Sequence, residues 1–146
     1  MRIIGIITFI SVWATSALSA ERTWFSNLPN KVYEFKVTES MTAKTPAWPE
    51  DAEHPPLSSR RALHLAKATL VGMVPNAVEW ELETVGLEPW GGGAHWIYVI
   101  TFRHFTTTPP DVNGVRVSRG RPSTITIPVL LSGVAVEPTV TKPKAP

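Results

Sequence analysis

The sequence predicts an α+β domain in which one amphipathic helix packs across a single antiparallel sheet of about four to five strands. Two observations carry this prediction. Ser58 to Met73 places alanine and leucine at helical spacing, and it runs directly into a segment that alternates apolar and acidic residues, Val78 to Val85. Around this pair lie further alternating segments joined by turn residues, and no second helix pattern follows the first twenty residues. A one-sided helix without a helical partner has to lie on a sheet.

Residues 1–20 have the layout of a secretory signal. Arg2 gives a positive start, Ile3 to Trp13 is apolar, and Ala17-Leu18-Ser19-Ala20 supplies small residues for cleavage after Ser19 or Ala20. The apolar run is shorter than the roughly 20 residues a spanning helix needs. The expected organisation is a signal over 1–20, one domain over 21–137 and a disordered tail over 138–146. The remaining chain of about 125 residues suits one core.

Thr23 to Asn30 reads as a lead-in whose Trp24, Phe25 and Leu28 tuck against the domain edge. Lys31 to Glu39 alternates Tyr33, Phe35 and Val37 against Glu34, Lys36 and Thr38, which is a half-buried strand. Ser40 to Pro56 holds four prolines and a lone Trp48, and reads as a long, loosely packed loop.

The helix follows, with Ser58 or Ser59 as its cap. Ala62, Leu63, Leu65, Ala66, Thr69, Leu70 and Met73 face inward, and Arg60, His64, Lys67 and Val71 face water. Gly72 and Pro75 end it. In the next segment Val78, Trp80 and Leu82 are expected beneath the helix, with Glu79, Glu81 and Glu83 on the opposite face. Gly86 marks a candidate bulge, and Gly91-Gly92-Gly93 a hairpin loop.

Trp96 to Phe105 is apolar on both faces, which predicts a central strand. Thr106 to Pro122 is a second long loop, in which Asn113-Gly114 can close a side hairpin. Thr124 to Leu131 is the next strand, with Pro128 pointing to an edge or a bulge. Ser132-Gly133 turns the chain into Val134-Ala135-Val136, and a Pro-, Lys- and Thr-rich tail follows.

Composition narrows the function. The chain has 14 Lys and Arg against 12 Asp and Glu; without Arg2 this is 13 against 12, a net charge of +1. Such a balance argues against nucleic acid as partner. There are no cysteines, which removes thiol catalysis, thiolate metal sites and disulfides. No further long apolar run exists, so the mature form is not expected to span a membrane.

The capped helix with spaced alanines, the proline break and the Trp-bearing acidic strand resemble the PepSY domain family. The matching residues are Ser58, Ala62, Ala66, Pro75 and Val78-Glu79-Trp80-Glu81-Leu82. Trp96-Ile97-Tyr98-Val99 and the Ser132-Gly133 turn fit the same layout. The resemblance covers about half of the mature chain. It implies a cystatin-like arrangement, a periplasmic or extracellular setting, and, as for some members, restraint of a secreted peptidase. Ser132-Gly133 stands where members often have an Asp-Gly-type turn, and the long Arg-rich loop before it is a second departure from the family.

No catalytic set is visible. His54, His64, His95 and His104 show no ligand spacing, so no metal or cofactor is expected. Glu79, Glu81 and Glu83 read as a solvated row that could meet Lys36 or Arg103. Candidate binding residues are Trp90, His95 and Trp96 around the glycine hairpin, and Arg116, Arg119 and Arg121 in the basic loop. Alternatively, Trp90 and Trp96 pair across the hairpin and only stabilise it. The expected function is an exported, non-enzymatic binding or inhibitory module with a secreted or periplasmic protein as partner. The alternative is a small-ligand carrier with a pocket lined by Trp80, Tyr98 and Phe102.

Overall fold

The computed structural model describes residues 21–91, 93, 95–105 and 122–143. The signal segment 1–20, the Asn113-Gly114 hairpin, and Arg116, Arg119 and Arg121 lie outside the described residues. The fold is α+β with antiparallel strands and one main helix. The strands form two three-stranded sheets, where the sequence predicts one sheet.

The first sheet has the order β1-β2-β6, with β1 at Glu21–Leu28, β2 at Lys31–Thr38 and β6 at Thr139–Thr141. The second has the order β3-β4-β5, with β3 at Glu81–Trp90, β4 at His95–His104 and β5 at Ser123–Leu130. β1 runs beside β5, but their contact is not a backbone ladder. There the buried Ser26 hydroxyl accepts a hydrogen bond from Thr126 N at 3.0 Å. A side chain stands where a neighbouring strand's carbonyl would, and the sheet divides at that point.

Ser26 also explains why a strand is found where a lead-in is expected. The register puts Arg22, Trp24 and Ser26 opposite Val37, Phe35 and Tyr33. The inner face of β1 therefore includes a serine and an arginine, which hide its alternation. Ser26→Ala leaves the Thr126 amide without its acceptor and is expected to cost about 1–3 kcal/mol, read as a lower urea midpoint.

The helix α2, Ser59–Met73, begins where its cap predicts: Ser58 Oγ accepts from Arg61 N at 3.3 Å. It buries Ala62, Ala66 and Leu70 over β4 and β5. Two tyrosines tie its ends to the two sheets. Tyr33 of β2 donates to Met73 O, and Tyr98 of β4 donates to Leu57 O at 2.8 Å.

Burial raises the Tyr98 hydroxyl pKa above its ordinary value. The folded protein then holds this proton more tightly than the unfolded chain. Its contribution is full below about pH 10 and is lost as the pH rises through the folded value. Urea midpoints of the wild type are therefore expected to fall in alkali more steeply than those of Tyr98→Phe.

The strand after the helix differs from its prediction. Asn76 turns the chain in the left-handed region (φ 57°), and Ala77–Glu79 form a 3-10 turn. These residues are consumed in reversing direction, so β3 begins only at Glu81 and runs on to Trp90. β3 is an outer strand of its sheet. Val78 is 96% exposed, not tucked beneath the helix. The bulge lies at Glu83, where the register shifts between Leu82 and Thr84, not at Gly86.

β4 is central, as its two apolar faces predict. The stretch after β2 is better anchored than its prolines suggest. It opens with the single helical turn α1, Glu39–Thr42, and Thr42 and Thr45 are buried. Trp48 meets Trp96 edge-on at 5.1 Å and donates from Nε1 to Ala52 O. A large ring with one polar atom has both its needs met here.

Gly133, at φ 83°, closes the turn after β5. Leu130 N bonds to Val134 O, and Val136 N to Pro128 O. The tail expected to fray from Pro138 instead supplies β6, with Tyr33 opposite Val140. The free edge of β2 offers backbone partners that composition does not reveal.

Candidate functional site

Val71, Val78, Leu82 and Val85 are exposed aliphatic side chains of the C-terminal half of α2, the 3-10 turn and the first half of β3. The register sets Leu82 opposite Phe102 and Val85 opposite Ile100. Because α2 covers β4 and β5, this apolar side of β3 is left open. Leu82 is 41% and Val85 39% exposed. Every residue from Glu81 to Val85 is exposed, and among the described residues no strand pairs with the outer edge of β3.

Beside this edge lies a cleft of ≈ 270 Å³ between the C-terminal half of α2, the 3-10 turn and β4. Leu70, Val71, Ala77, Val78, Trp80 and Phe102 line it, with Lys67 as its one charged group. Phe102 and Leu70 are buried, whereas Val71 is 68% exposed and stands at the rim with Val78. Trp80 is held by a stacked contact with His104 at 5.3 Å and 25°.

The acidic row lies along the start of the same strand. Glu81 Oε2 accepts from Arg103 Nη2 at 3.3 Å, one of the two cations anticipated for this row; Lys36 pairs with Glu21 instead. Glu79 Oε2 lies 3.2 Å from His104 Nε2. Glu83, in the bulge, has no ion-pair partner among the described residues.

The hairpin-tip residues divide between two sides. The register pairs Trp90 with His95, and Trp96 with Pro89, so Trp90 and Trp96 do not pair across the hairpin. Trp90 is 4% exposed, and the Arg22 guanidinium lies over its ring at 5.2 Å. Arg22 also bonds to Glu88 at 2.8 Å. Trp96 spends its contact area on Trp48. Trp90 is therefore buried, and Trp96 is half-buried against Trp48.

Trp90 and His95 border a second cleft of ≈ 240 Å³ with Glu39 and Thr42. Trp90 Nε1 and His95 Nδ1 are buried without a hydrogen-bond partner among the described residues. Among the described residues no three His, Asp or Glu side chains come together as metal ligands, and no helix is long and apolar enough to cross a membrane.

Trp80 and the glutamates stand out in the sequence, whereas the exposure of Leu82 and Val85 does not. Their alternation marks them as one face of a strand. It does not say that the helix stops short of covering that face. Comparison of the chain with protein-family models, with curated proteins and with solved structures finds no match.

Proposed function

We propose that the chain is an exported, non-enzymatic binding module that holds a partner protein along the outer edge of β3 and in the adjoining cleft. The observation that carries this reading is the exposed run Glu81–Val85, an outer strand whose apolar face opens onto an apolar cleft. Extended segments bind such edges through backbone hydrogen bonds, with alternate side chains filling pockets. Glu81 and Glu83 are exposed, which supports a surface role over acid–base chemistry. Restraint of a secreted peptidase is the task that the PepSY resemblance suggests for such a module.

A carrier reading draws on the same cleft, because Trp80 and Phe102 line it. Binding pockets bury most of a small ligand's surface. Here Val71 and Val78 stand open at the rim, which suits side chains of a partner better than an enclosed molecule.

Capture from the native secreted fraction, followed by mass spectrometry, tests the reading. Wild-type protein is expected to recover one protein partner. Leu82→Asp places a charge in the open apolar face, and recovery is expected to fall at least about tenfold, with the circular dichroism spectrum unchanged. Equal recovery by the variant, or a bound small molecule and no protein, overturns it.

A further inference from the structure

We infer that the segment β3 receives is a cationic one: an extended stretch alternating Lys or Arg with aliphatic residues. This rests on the reading just given and specifies its partner. A strand laid beside β3 sends alternate side chains to each face. On one face they meet Leu82, Val85 and the cleft wall. On the other they meet Glu81, which the register sets with Arg103, and near it Glu83, which has no counter-charge among the described residues. Opposite charges across a strand pair stabilise it, and like charges oppose it.

The same glutamates disfavour a second copy of this chain as the occupant. Antiparallel pairing of β3 with itself would bring two acidic rows together. Edge charges of this kind are a common guard against self-pairing. A guard of one sign still admits a strand of the other, which makes it a selector. Pro89, with no amide hydrogen, bounds the pairing on the C-terminal side.

The test uses the protein with short capped peptides, followed by ¹H–¹⁵N chemical shifts. A peptide alternating lysine with valine is expected to bind and to shift Glu81 to Val85. The same peptide with glutamate for lysine, and one N-methylated at alternate residues, are expected to bind at least about tenfold more weakly. Charge reversal, E81K/E83K, is expected to exchange the preference between the lysine and glutamate peptides.

Binding indifferent to charge, or shifts confined to another part of the protein, overturns the inference. So does binding of none of the peptides, or a concentration-dependent dimer that protects the β3 amides. These outcomes leave the broader reading to the Leu82→Asp capture. A partner lost from that variant preserves the surface while the cationic assignment falls. A partner retained removes both.

Discussion

Ala66→Asp is expected to leave the protein largely unfolded at room temperature. Ala66 is fully buried on the inner side of α2, where the helix lies over β4 and β5. Only a small side chain allows the helix backbone so close an approach. An aspartate at this position enters the cluster of buried apolar residues to which Ala66 belongs. An uncompensated buried charge costs about 3–5 kcal/mol, against a total stability of about 5–15 kcal/mol for a domain of this size. The carboxylate either takes up a proton or drives the helix off the sheet. Arg60→Asp, on the wet side of the same helix, is the control and is expected to stay within about 0.5 kcal/mol of wild type. Far-ultraviolet circular dichroism against urea separates the two. Equal midpoints would mean that the helix does not use this face.

Phe102→Ala has the next largest expected effect. Phe102 is buried in the central strand β4, opposite Leu82 of β3 and Ile125 of β5. Its ring also lines the cleft under Leu70. Removing a buried phenylalanine costs about 3–5 kcal/mol, through lost burial and the cavity left behind. Because one side of that cavity adjoins an open cleft, water can enter and the loss is expected near the lower end. Thermal unfolding reads the stability. Partner capture by the surviving folded fraction reads the site, and is expected to weaken as the cleft floor recedes. A drop in stability with undiminished capture would separate the core from the docking surface.

Much of the secondary structure was legible in the sequence because local patterns carry it. Ser58, the spaced alanines and Pro75 bound the helix within a residue of its observed ends. Tyr33, Phe35 and Val37 announce β2, and the doubly apolar Trp96 to Phe105 announces a central strand. The partition into two sheets was not legible. It depends on which distant strand lies beside which, and on Ser26 replacing a ladder bond between β1 and β5. β6 was hidden for a related reason: Thr139–Thr141 is ordered by the edge of β2 and not by its own composition. At the candidate site, the alternation of Val78, Trp80 and Leu82 says only that they could share a face. The left-handed turn at Asn76 and the reach of α2 decide that this face opens to solvent. The packing of the hairpin rings was not legible either, because Arg22, which lies over Trp90, and Trp48, which meets Trp96 edge-on, are remote in sequence.

The proposed function puts partner binding along the outer edge of β3. Amide hydrogen exchange on the protein alone and with its captured partner tests it most directly. Alone, the outward-facing amides of Glu81–Val85 are expected to exchange far faster than those of β4, which is bonded on both sides. With the partner bound, they are expected to slow, and those beside the Trp90–His95 hairpin to stay as they were. Protection that appears at that hairpin or along β6, with Glu81–Val85 unchanged, would contradict the account.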